Sequence, residues 1–227
     1  MRIKLLKPIL ASNDALAAAQ RAQLDAAGVV GINIMSGPGA GKTSLVERTV
    51  EAFKTDYRIQ VIEGDIRGDL DARRVAAKGV PCIQINTQGD CHLDSLMLAS
   101  VLPGINLKKI DLLIIENVGN LVCPAEFKLP THYNVMILST PEGSDKPTKY
   151  PLMFAKSDLL LINKIDLLPY VSFDFKQLRQ SVRRIKPSLP VMQISTKTGE
   201  GLDQWLGWLK RKVEARVKSH SLPRLQP

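Results

Sequence analysis

A glycine-rich segment early in the chain has the residue types of a phosphate-binding loop. An apolar run precedes it and a helix-forming run follows it, which predicts a strand, a loop and the start of a helix. Glycines let the backbone curl so that its N–H groups point at phosphate oxygens; Lys42 adds a positive charge, and the Thr43 hydroxyl suits Mg²⁺. Ser36 replaces the glycine that usually opens the pattern. The predicted phosphate-binding residues are Gly37, Gly39, Ala40, Gly41, Lys42, Thr43 and Ser44.

A second segment, much further along the chain, has the pattern that selects guanine. Asn163, Lys164 and Asp166 follow an apolar run typical of a buried strand. The Asp166 carboxylate can accept two N–H bonds from guanine, whereas adenine has no such donor pair and would leave the carboxylate unpaired. We expect Lys164 to lie over the base and Asn163 to tie the segment to the phosphate loop. After the last predicted strand, the run Ser195-Thr196-Lys197 is expected to meet the guanine oxygen through its backbone. A solvated Asn-Lys turn is the alternative, but the upstream loop favours GTP and GDP as ligands.

Carboxylates at two predicted strand ends could complete a magnesium site. Glu116 closes a fully apolar strand and Asp65 closes the second strand, and a carboxylate placed there can reach Mg²⁺ directly or through water. Asp69 and Asp71 follow nearby and remain alternatives to Asp65, although each could instead cap a helix. We expect Lys42, Asp65 and Glu116 to serve hydrolysis, and Thr43, Asp65 and Glu116 to bind Mg²⁺. Asn120 stands where GTPases often place a water-orienting glutamine, so hydrolysis is expected to be slow.

Three residues offer soft or borderline ligands for a second metal. Cys91 and His92 are adjacent, and Cys123 follows in the loop after Glu116. Thiolate and imidazole ligands suit Zn²⁺ or Ni²⁺. Buried free cysteine is the ordinary alternative, and we expect it for Cys82, which lies within a predicted strand. Since both segments follow strand ends, the ligands should meet beside the nucleotide and leave room for water or for ligands from a second subunit.

The composition indicates the class of protein. The chain has 227 residues, a formal net charge of +9, 44% hydrophobic residues and only 5% aromatic residues, so Leu, Ile and Val must build the core. The basic residues are not interleaved with aromatic ones, which favours a nucleotide site or an acidic protein partner over nucleic acid. Three cysteines are too few for a disulfide framework, and we find no cleavage pattern or membrane-spanning run. We expect a cytoplasmic protein with no nucleic-acid or membrane partner.

Apolar runs alternate with helical patterns, which predicts an α/β fold of the P-loop NTPase class: a mostly parallel sheet with helices on both faces. We expect a short N-terminal helical arm at 1–28 capped by Ser12-Asn13-Asp14, a GTPase domain at 29–217 and a flexible tail at 218–227. The predicted strands are 29–35, 58–62, 81–86, 110–115, 134–139, 159–162 and 191–195. The predicted helices are 15–27, 42–53, 70–77, 92–98, 173–185 and 202–217.

Several sequence blocks resemble the HypB family of nickel-incorporation GTPases that serve hydrogenases. The most specific blocks are Cys91-His92-Leu93-Asp94 and the run 116–127, which contains Glu116-Asn117-Val118-Gly119 and Cys123-Pro124. Further blocks are 84–87, 142–143, 145–147, 149–151, 163–170 and 198–201. The resemblance covers nearly the whole chain from about Ile9.

The resemblance implies a GTP-hydrolysing metallochaperone that binds Ni²⁺ or Zn²⁺ and helps to deliver nickel to [NiFe]-hydrogenase. It implies a homodimer that depends on nucleotide or metal, with Cys91, His92 and Cys123 near the interface and Lys149 reaching the partner's nucleotide. It also implies two protein partners, an accessory protein of the HypA type and the hydrogenase large subunit.

The chain departs from this family at two places. Gly68 stands where relatives usually have threonine, which affects the expected switch contact to Mg²⁺ or the γ-phosphate, and no histidine precedes His92, so nickel storage is not expected. The nearest alternative is a urease-type nickel GTPase, which carries Cys-Pro-His at its metal motif. A GTP-binding metal carrier without significant turnover is a second alternative. A small-molecule kinase is a third, which the guanine pattern disfavours.

Overall fold

A seven-stranded parallel sheet forms the centre of the computed structural model, which describes residues 6–220. The strands are β1 (Val30–Ser36), β2 (Ile59–Asp65), β3 (Cys82–Asn86), β4 (Leu112–Glu116), β5 (Tyr133–Ser139), β6 (Leu159–Asn163) and β7 (Val191–Gln193). Their order is β3-β2-β4-β1-β5-β6-β7, and every neighbouring pair is parallel. Because the chain turns to opposite sides of β1, a crevice forms beyond the carboxyl ends of the central strands.

Helices connect the strands and cover the sheet. They are α1 (Leu6–Ala27), α2 (Lys42–Phe53), α3 (Leu70–Ala76), α4 (Ser95–Val101), α5 (Cys123–Glu126), α6 (Lys146–Lys149), α7 (Pro151–Lys156), α8 (Phe175–Ile185) and α9 (Leu202–His220). Within residues 6–220, no helix combines the length and the apolar character needed to cross a lipid bilayer.

Successive strand positions point to opposite faces of the sheet and build a core on each. On one face, Ile34 of β1 and Ile114 of β4 pack with apolar residues of α2 and α9. On the other face, Ile115 of β4 packs with α1 and α4, and Met35 of β1 packs with α7 and α8. The predicted α/β fold, with a parallel sheet and helices on both faces, is therefore confirmed.

Two predicted helix starts are wrong because local hydrogen bonding differs from the expected capping. The first helix begins at Leu6, so Asn13 lies inside α1 instead of capping it. The fourth begins at Ser95 and not at His92, because the Asp94 carboxylate caps it by accepting a hydrogen bond from the Met97 N–H at 2.7 Å. These changes leave His92 in a loop, where it is available as a ligand.

Other differences concern the end of the chain and the short helices. Helix α9 continues to His220, so residues 218–220 of the predicted tail are helical; the rest of that tail, and residues 1–5 of the predicted arm, lie outside the described residues. The sequence did not predict α5, α6 or α7, which contain four to six residues each. Such helices are too short to produce an apolar periodicity.

Buried amide side chains hold α1 against the start of α4 and the segment that follows α5. The Asn13 carbonyl oxygen accepts a hydrogen bond from the Ser95 N–H at 2.8 Å, and its amide donates to the Lys128 carbonyl at 2.9 Å. Two turns further along the same face of α1, the Gln20 amide donates to the Ser95 carbonyl at 2.8 Å. Leu24 of the same helix is fully buried. The arm therefore packs on the domain, close to the start of α4.

We predict that Asn13→Ala lowers the free energy of unfolding by about 1–3 kcal/mol, because it leaves the buried Ser95 N–H without its partner and removes one of the two hydrogen bonds that the Lys128 carbonyl accepts. Denaturant unfolding measures the change. Gln23→Ala is the matched control, since Gln23 is an exposed residue of the same helix, and its effect should stay within about 0.5 kcal/mol. Equal effects of the two substitutions would contradict the docking of α1.

Candidate nucleotide and metal sites

The phosphate loop joins β1 to α2 with its backbone held in left-handed turns. Gly39 and Gly41 have φ angles of 72° and 104°, which only glycine adopts readily. A Cβ on Gly41 would also lie 2.4 Å from the Asn163 amide nitrogen. The Lys42 ammonium donates to the Ser36 hydroxyl at 3.2 Å, and that hydroxyl donates to the Gly37 carbonyl at 2.6 Å. Ser36, the departure from the usual pattern, therefore helps to position the lysine.

A cavity of about 400 Å³ opens beside this loop. Its walls come from the phosphate loop, the carboxyl ends of β2 and β4, and the segments after β6 and β7. The lining residues include Gly39, Gly41, Lys42, Thr43, Ser44, Asp65, Glu116, Lys164 and Thr196, all of them predicted site residues. The parallel sheet thus brings together segments that are distant in sequence.

The predicted guanine segments meet at one end of the phosphate loop. The fully buried Asn163 donates to the Ala40 carbonyl at 2.8 Å and accepts from the Thr196 N–H at 3.1 Å. Lys164 adopts a left-handed conformation and donates to the Gly39 carbonyl at 2.7 Å. Asn163 therefore connects its own segment both to the phosphate loop, at Ala40, and to the segment after β7, at Thr196.

The remaining guanine residues lie in the same corner. The Asp166 carboxylate accepts a hydrogen bond from the Ser195 hydroxyl at 2.6 Å. Arg48 of α2 donates to the carbonyls of Thr196 and Lys197, at 3.1 and 3.3 Å. Hydrogen bonds thus fix the positions of the Asp166 carboxylate and of the backbone at Thr196 and Lys197.

Three carboxylates converge at the ends of β2 and β4. The ligand oxygens of Glu63, Asp71 and Glu116 lie within 4.8 Å of one another, and the Thr43 hydroxyl donates to Glu116 Oε1 at 2.7 Å. Burial raises the pKa of Glu63 to about 8 and that of Glu116 to about 7, the latter against the opposing charge of Lys42. Both side chains are almost fully buried, at 3% and 2% exposure.

A divalent cation fits this group of residues. Among the described residues, neither Glu63 Oε2 nor Glu116 Oε2 has a hydrogen-bond partner, although both atoms are buried. Buried carboxylates of this kind require a positive charge or a proton, and carboxylate and hydroxyl oxygens are the ligands that Mg²⁺ prefers. Thr43 and Glu116 are therefore suited to the role the sequence predicts for them.

Asp65 takes a different position from the other predicted magnesium ligands. It lines the same cavity, but it is outside the group of three convergent carboxylates, and one of its oxygens accepts from the Ile66 N–H at 2.5 Å. Glu63, which sequence reasoning missed as a site residue, lies opposite Glu116 in the register of β2 and β4. The sequence shows acidic residues near the ends of both strands, but only the register of β2 and β4 places Glu63 beside Glu116.

The predicted soft-metal ligands form a second cluster. The ligand atoms of Cys91, His92 and Cys123 all lie within 4.8 Å of one another, and the two sulfurs are 2.8 Å apart. The His92 ring stacks on Phe127 with 3.9 Å between ring centroids. Within the part of the chain that the structure describes, its Nδ1 is buried without a partner, and burial lowers the pKa of the ring. A neutral imidazole beside two thiols matches the ligand set of Zn²⁺ or Ni²⁺.

Two other predicted residues stay apart from these clusters. Cys82 lies on β3 against the core, and burial raises the pKa of its thiol to about 12, as expected for a structural cysteine. Lys149 ends α6, where its ammonium pairs with the Asp145 carboxylate at 2.6 Å. Its side chain is 59% exposed, and it does not line the nucleotide cavity of its own chain.

We predict that Cys123→Ala weakens the binding of Ni²⁺ or Zn²⁺ by at least about tenfold, because loss of a direct ligand should cost no less than loss of a supporting residue. Cys82→Ala is the matched control and should leave the affinity unchanged. Equilibrium dialysis with each metal measures both variants. A wild-type affinity in Cys123→Ala, or an equal loss in Cys82→Ala, would contradict the cluster.

Comparison with known proteins identifies relatives of this arrangement. The CobW/HypB/UreG nucleotide-binding domain matches residues 31–193. The hydrogenase maturation factor HypB of Azotobacter vinelandii is 45% identical over 96% of this chain and 72% of its own length. The crystal structure of HypB from Helicobacter pylori in complex with nickel is 37% identical, covers 90% of this chain and 96% of that one, and gives a TM-score of 0.84. The crystal structure of HypB from Archaeoglobus fulgidus is also 37% identical. It covers 90% of this chain and 100% of that one, and it gives a TM-score of 0.83.

Each solved relative shares the fold over most of both chains, and the curated relative matches nearly all of this one. The matched residues include the phosphate loop, both clusters of candidate metal ligands and the candidate guanine segment after β6. The chain therefore belongs to the CobW/HypB/UreG family of nucleotide-binding proteins and, within it, to the HypB proteins.

Proposed function

We propose that this chain is a GTP-hydrolysing metallochaperone that binds nickel and assists nickel insertion into [NiFe]-hydrogenase. The observation that carries the proposal is the convergence of a guanine-type nucleotide pocket and a thiol–imidazole cluster at one edge of the sheet. Two facts about relatives support it: the Azotobacter relative is a hydrogenase maturation factor, and the Helicobacter pylori structure holds nickel.

Nucleotide binding follows from the loop geometry. The N–H groups of the phosphate loop and the Lys42 ammonium supply positive potential for the phosphates, and the start of α2 adds to it. The Asp166 carboxylate selects guanine by accepting its N–H donors, while Asn163 keeps that segment joined to the phosphate loop. The pocket therefore favours GTP and GDP over adenine nucleotides.

Hydrolysis depends on charge stabilisation more than on a strong base. When bound, Mg²⁺ neutralises charge that develops on the phosphates. Thr43 and Glu116 hold their oxygens toward that position, and Lys42 stays oriented through Ser36. Asn120, the residue after Gly119, is shorter than the glutamine that often orients water, so turnover is slow.

Nickel is the cargo, with zinc as the competing occupant of the same ligands. The Cys91 sulfur, 2.8 Å away, together with burial, raises the pKa of the Cys123 thiol to about 11. Metal binding must therefore displace a proton, which makes uptake stronger as the pH rises. Three protein ligands leave a tetrahedral or square-planar site incomplete, and this is the feature that allows transfer to a recipient.

The incomplete ligand set also favours a homodimer that depends on nucleotide or metal. Val122, next to Cys123, is a large apolar residue with 48% exposure, so the cluster lies beside surface suited to a second copy. The exposed Lys149 could then exchange its contact with Asp145 for a phosphate of the partner's nucleotide. A HypA-type accessory protein and the hydrogenase large subunit complete the proposed set of partners, in the cytoplasm.

Two other functions remain as competitors. A urease-type nickel GTPase would deliver the same metal elsewhere, but its Cys-Pro-His motif differs from the separate Cys91-His92 and Cys123 found here. A GTP-binding carrier without significant turnover would share both sites and lack hydrolysis. Phosphate release measured with and without Ni²⁺ separates the carrier from the switch, and restoration of hydrogenase or urease activity in a deletion strain separates the clients.

We predict that Asp166→Asn lowers GTP affinity by about tenfold to a hundredfold and raises the affinity for xanthosine triphosphate, because the amide donates where the carboxylate accepts. Competition binding with both nucleotides measures the exchange. Asp56→Asn, at an exposed position after α2, is the control and should bind GTP like the wild type. Unchanged GTP preference in Asp166→Asn would exclude guanine recognition at this residue.

The function is tested by metal content and oligomeric state of the wild type and Cys123→Ala, each with GDP and with a non-hydrolysable GTP analogue. The wild type should differ between nucleotides in bound nickel, in dimer fraction or in both, and Cys123→Ala should lose the nickel difference. Mass measurement by light scattering and metal analysis give the two readouts. A wild type that behaves identically with both nucleotides would refute the proposed switch.

A further inference from the structure

One buried amide connects the residue beside the magnesium site to the residue beside the nickel cluster. Asn117 directly follows Glu116 and is fully buried. Its Oδ1 accepts a hydrogen bond from the Leu93 N–H at 3.0 Å, and Leu93 directly follows His92. Thus a single side chain joins the peptide units next to Glu116 and next to His92.

The amide of Asn117 is held in one orientation by its other contacts. Its Nδ2 donates to Asn33 Oδ1 at 3.1 Å, and Asn33 in turn donates to Asn134 Oδ1 at 3.1 Å. Its backbone N–H donates to the Ile34 carbonyl at 3.0 Å. Since Nδ2 is occupied by Asn33, the oxygen must face Leu93. The connection is therefore directional and anchored to β1.

The Leu93 end of the connection is equally constrained. Leu93 is fully buried and packs over Gly64, where an added Cβ would lie 2.6 Å from its side chain. Gly64 stands between Glu63 and Asp65 on β2, and Asp94 caps the helix that follows. With little free space around it, Leu93 must follow a displacement of Asn117, and Cys91 and His92 must follow Leu93.

We propose that Asn117 is the positioning residue that couples nucleotide state to nickel affinity. A change at Glu116, caused by gain or loss of Mg²⁺ and the γ-phosphate, displaces Asn117 and, through its hydrogen bond, the segment 91–93. Cys91 and His92 then shift relative to Cys123. The inference rests on the proposed function, since it names the connection by which that switch operates.

A competing route runs through the covalent loop from Asn117 to Cys123. Asn120 offers a matched control for it, because its side-chain oxygen accepts the Val122 N–H at 2.8 Å and so braces only the loop itself. Asn120→Ala weakens the loop and leaves the Asn117–Leu93 bond in place. Asn117→Ala removes that bond together with the contact that the same oxygen accepts from the Val118 N–H at 3.0 Å, and it retains the hydrogen bond between Asn120 and Val122.

The test measures a coupling ratio in the full-length chain: the Kd for Ni²⁺ with GDP–Mg²⁺ divided by the Kd with a non-hydrolysable GTP analogue and Mg²⁺. We expect the ratio to differ from one by at least about fivefold in the wild type and in Asn120→Ala, and to fall within about twofold of one in Asn117→Ala. The thiolate-to-nickel absorption band should differ between nucleotides only in the first two proteins. By reciprocity, the effect of Ni²⁺ on nucleotide affinity should change by the same factor.

Each outcome decides the question. If the wild type itself shows a ratio of one, the proposed switch fails and this inference fails with it. If the wild type couples and Asn117→Ala couples equally, only the route through Asn117 is refuted. Equal loss in Asn117→Ala and Asn120→Ala would assign coupling to the loop. If Asn117→Ala does not fold, Asn33→Ala replaces it in the test. Asn33→Ala removes the acceptor of the Asn117 amide and should bring the coupling ratio closer to one, and an unchanged ratio would refute the inference.

Discussion

The register of the parallel sheet is the constraint on which both sites depend. Parallel pairing places Glu116 opposite Glu63 on one side and Ile34 on the other, and it places Asn163 opposite Ser139 at the end of β6. These strands all end at the same edge, so the loops that leave them must share it. The residues proposed to bind nucleotide and those proposed to bind the soft metal come together because the strands are aligned.

Burial of carboxylates at that edge opposes the stability of the metal-free fold. The folded-state pKa of Glu63 and of Glu116 is raised above the ordinary 4.5, so the folded chain holds protons that the unfolded chain releases. The contribution of these two carboxyls to the free energy of unfolding is then greatest below about pH 4.5 and falls as the pH rises toward 7 or 8. A cation bound between these carboxylates would offset this loss, because it stabilises their charged form in the folded chain.

Local signals in the sequence predicted the fold well, and non-local pairing limited the rest. Apolar runs located all seven strands, and the glycines with Lys42 and Thr43 located the phosphate loop, because each signal lies within a few residues. The sequence did not predict Glu63 and Asn117 as site residues. Their partners, Glu116 and Leu93, are distant in sequence, and only the strand register and the packing place each residue beside its partner. The start of α1 was missed for a related reason: Asn13, a typical cap residue, bonds to α4 instead.

The location of nickel in crystals of the chain grown with a non-hydrolysable GTP analogue and Mg²⁺, found by anomalous scattering at the nickel edge, tests most directly whether one edge of the sheet serves both metals. We expect one nickel peak within bonding distance of the sulfurs of Cys91 and Cys123, with Mg²⁺ beside Thr43 and Glu116 at the same edge. Nickel bound at other residues, with both sulfurs unligated, would contradict the claim that one edge serves both metals.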